Sequence, residues 1–206
     1  MDRRPSTGNP LLDTILFDSP STILVYGIAA SGKTNFVLNT IKHSMHTNYI
    51  IAYISTEGSH YADRVVQMGI TNHRVLFGEA LDTDHLIELV LDLATHIELS
   101  KLLLLAIDSI NNFYRSEALE LEGLRKFVAL LALLREFVEL GCFVIVTAQV
   151  RESDEGVEPS GLQYLYPWAD KIVRIEYKED MRRLIVEKPT HLELSFEIHE
   201  QGIRWL

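Results

Sequence analysis

Cysteine and long apolar runs are scarce in this sequence, and both absences narrow the kind of protein it encodes. Cys142 is the single cysteine of the chain, so neither an internal disulfide nor a cysteine pair for zinc is available. The N-terminal segment MDRRPSTGNP has no apolar signal core, and no apolar run long enough to cross a membrane follows it. We therefore expect a soluble, cytoplasmic protein without membrane contacts.

Positive charge is also in short supply. The 206 residues include 19 Lys and Arg against 29 Asp and Glu, which gives a net charge of −10. This balance argues against a protein that coats nucleic acid by charge alone, although a local basic patch is compatible with it. An apolar fraction of 47% and a charged fraction of 23% are ordinary for a globular protein and disfavour disorder, collagen and coiled-coil architectures. We expect one domain over residues 1–206.

Short apolar runs rich in β-branched residues alternate with segments of helical period along most of the chain. This alternation is typical of a parallel sheet covered by helices. Thr83 or Asp84 is the expected N-cap of one of these helices, the one over residues 84–99. The pattern predicts strands at residues 22–26, 49–55, 74–77, 102–107 and 142–147, and helices at residues 33–45, 61–68, 84–99 and 119–140.

The pattern changes after Gln149. Residues 151–161 are polar and contain two glycines and a proline, which predicts a loop. Four short strands follow, at residues 172–177, 184–187, 194–198 and 203–205. The expected fold class is therefore α/β, with a mostly parallel central sheet flanked by helices and with antiparallel C-terminal strands.

A complete phosphate-binding motif, G-x-x-x-x-G-K-[ST], lies between the first predicted strand and the first predicted helix. Glycines let successive backbone N–H groups converge on phosphate oxygens, and the following helix N-terminus favours an anion. Lys33 is predicted to bind the β- and γ-phosphates of ATP, and the Thr34 hydroxyl to ligate Mg²⁺. A glycine turn that merely joins strand to helix is the alternative. The predicted nucleotide-binding loop comprises Gly27, Ile28, Ala29, Ala30, Ser31, Gly32, Lys33 and Thr34.

Three polar residues follow predicted strands, where an open α/β sheet places its chemistry. Asp108 is predicted to hold Mg²⁺ directly or through water, with an N-cap or turn aspartate as the alternative. Glu57 is predicted to orient or deprotonate the water that attacks the γ-phosphate, with a solvated loop acid as the alternative. Gln149 is predicted to sense the γ-phosphate, with an ordinary polar residue at a strand end as the alternative.

Several motifs together make the chain resemble the RecA/RadA recombinase superfamily, and in particular its archaeal RadB-like paralogues of RadA, which consist of the ATPase core. The phosphate loop and Asp108 are shared by many ATPases, whereas the S-T-E-G and T-A-Q-V segments narrow the resemblance to this superfamily. In order along nearly the whole chain, the motifs are S-T-G, L-D, G-I-A-A-S-G-K-T, Y-I-S-T-E-G, L-L-A-I-D-S-I-N-N-F-Y-R, T-A-Q-V and A-D-K-I-V-R-I.

The resemblance implies a RecA-like P-loop ATPase core and a role for each matching residue. It implies that Glu57 is the catalytic carboxylate, acting with Lys33, and that Gln149 links the nucleotide state to a DNA-facing loop. It also implies that Arg64 stacks on adenine, which suits a planar guanidinium. An arginine on the surface of a helix is the alternative for Arg64.

Two departures from the superfamily pattern concern DNA binding. The expected DNA loops, at residues 116–123 and 151–161, each carry a net charge of −3. Such loops repel phosphates, because affinity for nucleic acid comes largely from cation–phosphate contacts. The main basic cluster lies in the C-terminal strands instead, where it would touch nucleic acid or the γ-phosphate of a neighbouring subunit, or simply be exposed strand charge. Its members are Lys171, Arg174, Lys178, Arg182 and Arg183.

Two further departures concern filament formation. The resemblance implies a subunit-linking segment before the core, and we expect this protein to lack one. Phe77-Gly78-Glu79-Ala80 matches a polymerisation pattern, but its place at a core strand end favours plain packing.

The resemblance and its departures together predict a Mg²⁺-dependent ATPase with slow turnover that modulates homologous recombination or DNA repair without performing strand exchange. The expected partners are a recombinase or a second copy of the chain, together with single-stranded DNA bound weakly. Two alternatives stay open: a nucleotide-switched adaptor, and a regulatory RecA-fold ATPase that does not act on DNA.

Overall fold

The computed structural model describes residues 3–117, 121–153, 156–159, 161–178 and 181–206. The helices are α1 (Pro10–Leu16), α2 (Lys33–Ser44), α3 (Ala62–Gln67), α4 (Thr83–His96), α5 (Tyr114–Glu117), α6 (Leu121–Glu139) and α7 (Leu162–Trp168). The strands are β1 (Thr22–Gly27), β2 (Ile50–Ser55), β3 (Val75–Glu79), β4 (Leu102–Asp108), β5 (Phe143–Ser153), β6 (Gly156–Pro159), β7 (Lys171–Lys178), β8 (Met181–Lys188), β9 (Leu192–His199) and β10 (Gly202–Trp205). Within these ranges, no helix combines the length and apolar character needed to cross a membrane.

One sheet runs through the molecule in the strand order β10-β9-β8-β7-β1-β5-β4-β2-β3, with β6 paired to the end of β5. The strands from β7 to β3 in this order are parallel, whereas β7, β8, β9 and β10 pair antiparallel. The central strands β1 and β4 are buried along their whole length, which explains their continuous apolar sequence. The predicted fold class is confirmed.

The sheet separates two apolar cores. Alternate residues of β1 point to opposite faces, so that Leu24 packs in one core with α4, α6 and α7, whereas Ile23 and Val25 pack in the other with α1 and α2. The second core continues under the C-terminal strands through Leu184 and Val186 of β8. Side chains at even-numbered positions of β8 therefore share a face with helix α2.

Two details of the predicted secondary structure were wrong. Residues 151–161 are not simply a loop, because β5 continues to Ser153 and forms a hairpin with β6. Polar residues occur in the strands of hairpins as well as in loops, so a polar sequence is compatible with strands there. The N-cap of α4 is Asp82, whose side chain accepts a hydrogen bond from the backbone N–H of His85, at 2.8 Å.

The first expected DNA loop, at residues 116–123, is partly helical. It includes the end of α5 and the start of α6, while residues 118–120 lie outside the described part of the chain. In the second loop, the side chains of residues 151–160, which carry its acidic charge, also lie outside the described part. The predicted repulsion of DNA by these loops therefore stays a prediction.

The segment Phe77–Ala80 packs against the protein's own core. The Phe77 ring stacks on Tyr61 with centroids 5.6 Å apart and also contacts Tyr53, while Ala80 is buried. The packing interpretation of this segment agrees with these contacts.

Candidate nucleotide-binding site

The register of the sheet brings the strand-end residues together at one edge. Gly27, at the end of β1, lies opposite Gln149 of β5, and Ser55, at the end of β2, lies opposite Asp108 of β4. Because these strands are parallel, their carboxyl ends meet at the same side of the molecule, which is where α/β sheets bind ligands. Glu57 follows Ser55 by two residues and so reaches the same edge.

The loop between β1 and α2 needs glycine at two positions. A Cβ atom at Gly27 would lie 2.2 Å from the carbonyl oxygen of Ile175, so any other residue would push β1 and β7 apart. Gly32 has a φ of +111°, in the left-handed region that disfavours side chains. Helix α2 begins immediately afterwards, with no side-chain cap on its first N–H groups. These N–H groups are therefore available to an anion.

Lys33 is held by neutral groups. Its Nζ atom donates hydrogen bonds to the carbonyl oxygens of Gly27 and Ile28, both at 2.9 Å, and the residue is 7% exposed. Burial lowers the pKa of Lys33 from its ordinary value, while Asp108 and Glu57 act in the opposite direction. None of the described carboxylates forms an ion pair with this ammonium group, so its charge is left for a ligand in the cavity beside it.

Asp108 is buried and is also bound by neutral groups. Its Oδ2 atom accepts hydrogen bonds from the hydroxyls of Thr34 at 2.7 Å and Tyr53 at 2.9 Å, and its Oδ1 atom accepts one from Thr147. Burial and the neighbouring Asp108 raise the pKa of Tyr53, so this phenol stays protonated and acts as a donor. A buried carboxylate of this kind is a favourable neighbour for a cation.

The oxygen donors fit Mg²⁺. Thr34 and Asp108 contribute a hydroxyl and a carboxylate oxygen, the hard ligands that this ion prefers, and Mg²⁺ usually takes one or two protein ligands while it keeps several waters. Ser31, also in the phosphate loop, has a buried Oγ atom without a partner among the described residues. That hydroxyl is one more polar group that a bound nucleotide would satisfy.

Glu57 and Gln149 are directly connected. Gln149 Nε2 donates to Glu57 Oε1 at 2.8 Å, and Ser109 Oγ donates to the same oxygen at 2.8 Å. The other end of the Gln149 amide accepts a hydrogen bond from Arg115 of α5, at 2.9 Å. The structure thus links the predicted catalytic carboxylate to the start of the first expected DNA loop.

Arg64 lies at the side of the site, where it bridges α3 to neighbouring elements. Its Nε atom donates to Asn35 Oδ1 at 2.7 Å, and its guanidinium also donates to the carbonyl oxygens of His199 and Glu200. These bonds fix the plane of the guanidinium next to a cavity of about 260 Å³ that extends to Thr34. The adenine-stacking role of Arg64 stays a prediction, and the structure adds that the group is oriented rather than loose.

A cavity of about 400 Å³ lies over the phosphate loop. Its lining brings together most of the predicted site residues, namely Ala29, Ala30, Gly32, Lys33, Thr34, Glu57, Asp108 and Gln149. Arg182 of β8, a member of the predicted basic cluster, lines the same cavity.

The structure changes the interpretation of the basic cluster. Lys171 is buried and donates to the carbonyl oxygen of Leu16 at 3.0 Å as well as to Asp18, so it is not free to bind nucleic acid. Arg174 pairs with Glu187, at 2.7 Å, and with Glu176. The side chain of Lys178 lies outside the described part of the chain.

Three contributions to the site were missed by sequence reasoning. Ser109 and Arg115 stand in the L-L-A-I-D-S-I-N-N-F-Y-R motif, but no role was predicted for either, because their contacts with Glu57 and Gln149 form only in the fold. A signal did exist for Arg182: Leu184 and Val186, two and four positions later, are apolar residues of the core that faces α2, so strand alternation places Arg182 on the same face.

The sheet order, the phosphate loop and the strand-end residues define a P-loop ATPase fold with a RecA-like core. Comparison with known families narrows this further, because the family model described as Rad51 matches residues 4–164. The chain belongs to the Rad51 family.

Three relatives of the chain are each named DNA repair and recombination protein RadB. The chain is 29% identical over 196 residues to the DNA repair and recombination protein RadB of Methanocaldococcus jannaschii, covering 87% of this chain and 90% of that protein. It is 27% identical over 199 residues to RadB of Methanococcus maripaludis strain C7, covering 87% and 89% respectively. It is 28% identical over 225 aligned positions to RadB of Methanoculleus marisnigri, covering 98% and 97%. The resemblance predicted from the motifs is confirmed.

Proposed function

We propose that this protein is a Mg²⁺-dependent ATPase that modulates homologous recombination or DNA repair through a recombinase partner. The observation that carries the proposal is the geometry around Asp108 and Glu57. Thr34 Oγ1 lies 2.7 Å from Asp108 Oδ2, and Gln149 Nε2 lies 2.8 Å from Glu57 Oε1. All four residues line one cavity with Lys33, where Thr34 and Asp108 would hold Mg²⁺ and Glu57 would face the attacking water.

The residues divide the reaction between them. Backbone N–H groups of the loop bind the α- and β-phosphates, and the Lys33 ammonium binds the β- and γ-phosphates. Thr34 and Asp108 hold Mg²⁺, which supplies positive charge to the phosphate oxygens when bound. Glu57 accepts the proton of the attacking water, the bond from phosphorus to the β–γ bridging oxygen breaks, and ADP and phosphate leave. We expect slow turnover, because this class of enzyme usually gains a residue from a partner.

Charge supports weak binding to DNA and speaks against strand exchange by the chain itself. The described basic residues Lys171 and Arg174 are occupied by ion pairs, and the net charge of the whole chain is −10. Because binding to phosphates depends on free Lys and Arg, these two residues of the basic cluster add little affinity for DNA. The names of the relatives support a recombination role, and a partner that binds DNA well would supply the missing affinity.

A second candidate function is a nucleotide-switched adaptor that does not act on DNA. The contact between Gln149 and Arg115 favours it, because this contact gives the γ-phosphate site a direct link to helix α5 at the surface. In that case ATP binding sets the position of α5, and hydrolysis only resets it.

The ATPase rate distinguishes the two candidates. We would measure phosphate release by the purified chain alone, with single-stranded DNA, and with the recombinase of the same cells. Stimulation by DNA or by the recombinase–DNA filament supports the first function. A rate that responds to neither, together with nucleotide-dependent capture of a protein partner, supports the adaptor.

A further inference from the structure

Arg182 differs from Lys171 and Arg174, the two cations of β7 that form ion pairs, because its charge has no such partner among the described residues. No described carboxylate pairs with its guanidinium, and its buried Nε atom has no hydrogen-bond partner among the described residues. A guanidinium is costly to leave partly buried without acceptors, since hydrogen bonds to charged groups are the strong ones. None of the described residues supplies such an acceptor, which leaves the side chain placed for a ligand in the adjoining cavity.

The position of Arg182 identifies where that acceptor lies. A Cβ atom added at Gly32 would lie 3.3 Å from Arg182 Cδ and 3.4 Å from Nε, so the side chain passes directly over the last glycine of the phosphate loop. Arg182 lines the same cavity as Lys33 and Thr34. The N–H groups at this end of such a loop bind the α- and β-phosphates.

The guanidinium is also held in place. Tyr177 lies opposite Arg182 in the pairing of β7 with β8, and the guanidinium carbon lies 5.0 Å from the centre of its ring. A cation over an aromatic face at this distance is favourable, and the stacking fixes the plane of the group. The neighbouring Arg183 points to the opposite face of the sheet, because side chains alternate along a strand.

We propose that Arg182 binds the α- and β-phosphates of the nucleotide from within the same subunit. This proposal rests on the nucleotide site proposed above and replaces the earlier expectation that this arginine touches DNA or the γ-phosphate of a neighbouring subunit. Because ATP and ADP share these phosphates, Arg182 strengthens the binding of both and contributes little that is specific to the transition state.

Titration calorimetry of Arg182→Ala with ADP and with a non-hydrolysable ATP analogue tests the proposal, with Arg183→Ala as the matched control. We expect Arg182→Ala to weaken both ligands by about tenfold or more, the size of one charged hydrogen bond. Arg182→Lys should recover part of this loss, because it keeps the charge but not the planar fork. Arg183→Ala should bind as the wild type does, and thermal unfolding without nucleotide should be similar for all of these variants.

Equal affinity of Arg182→Ala and Arg183→Ala for both nucleotides would overturn the proposal. A loss confined to the ATP analogue would also overturn it, because it would place the arginine at the γ-phosphate. Lys33→Ala distinguishes a wrong role for Arg182 from a wrong assignment of the nucleotide site. If Lys33→Ala loses binding while Arg182→Ala does not, only the role of Arg182 is wrong; if Lys33→Ala binds normally, the nucleotide site is wrong.

Discussion

The charged side chains compared here have different partners in the parallel and the antiparallel half of the sheet. In the antiparallel half, Lys171 pairs with Asp18 and Arg174 pairs with Glu187, so both of these cations find a carboxylate. At the carboxyl ends of the parallel strands, Lys33 is bound by carbonyls and Asp108 by hydroxyls, although both line one cavity. Charges that are solvated by neutral groups keep their field for a ligand, whereas charges in an ion pair largely cancel each other.

This contrast explains why the numerous basic residues near the C-terminus are a poor guide to function. Lys171 and Arg174 fasten β7 to α1 and to β8, and they contribute to the fold. Near the phosphate loop, Lys33 and Asp108 are bound by neutral groups and face a cavity instead. Arg182 belongs to both parts of this comparison. It lies on the antiparallel strand β8, but its side chain lines the cavity at the carboxyl ends of the parallel strands.

The largest expected effect comes from Lys33→Ala. Removing the ammonium should weaken ATP binding by about 100-fold, the upper end of the range for hydrogen bonds to a charged group, and abolish measurable turnover. Lys42→Ala is the matched control, because Lys42 lies on the same helix but binds only the exposed Gln201. Calorimetric titration with ATP and Mg²⁺ checks the prediction. Equal affinity of the two variants would show that the buried lysine is structural.

Glu57→Gln should slow the chemical step while leaving nucleotide binding intact. The amide keeps the shape of the side chain but loses the proton-accepting charge, so we expect hydrolysis to fall by roughly 10²-fold or more. Single-turnover kinetics at saturating ATP measures this step. Glu79→Gln, at the end of the adjacent strand β3, should hydrolyse ATP normally. A wild-type rate for Glu57→Gln would make Glu57 a solvated loop acid.

Arg115→Ala should have a smaller effect, confined to turnover. Without its hydrogen bond to Gln149, the amide is less firmly oriented toward Glu57, and we expect kcat to fall about fivefold, equivalent to one hydrogen bond of ~1 kcal/mol, with KM unchanged. Arg125→Ala, on the exposed face of α6, is the control. An unchanged kcat for Arg115→Ala, or a change in KM alone, would show that Arg115 does not position the glutamine.

Lys171→Met tests the opposite half, where we expect no effect on nucleotide affinity. The change removes the donor to Leu16 and to Asp18 and should lower the free energy of unfolding by about 1–3 kcal/mol. Thermal unfolding and calorimetric titration are measured on the same protein. Lys101→Met, which breaks an exposed pair with Glu98, should leave the Tm unchanged. A Lys171→Met variant with normal stability but weakened ATP binding would contradict the structural role of Lys171 and give it a role in nucleotide binding.

Much of the site could be predicted because its chemistry is encoded locally. The phosphate loop is a contiguous motif, and Glu57, Asp108 and Gln149 each follow an apolar run whose end can be identified in the sequence. Parallel topology then brings these ends together without further information.

The parts that could not be predicted depend on tertiary contacts. Arg115 ends a motif that carries the family resemblance, but its partner Gln149 lies 34 residues later, so only the fold shows their hydrogen bond. The ion pair between Lys171 and Asp18 joins residues far apart in the chain. Composition alone also gave a wrong prediction at residues 151–161, since a hairpin and a loop can have similar polar sequences.

Titration of the wild-type chain with ATP, with and without Mg²⁺, tests the central claim most directly. If the charges at the parallel strand ends are kept for a ligand, one ATP should bind per chain, more tightly with Mg²⁺ than with a chelator present, and ADP should compete for the same site. The Mg²⁺ dependence should disappear in Thr34→Val and persist in Thr40→Val, whose hydroxyl only binds the backbone of its own helix. Absence of binding by the folded protein, or binding that is indifferent to Mg²⁺ and to Thr34, would contradict the account.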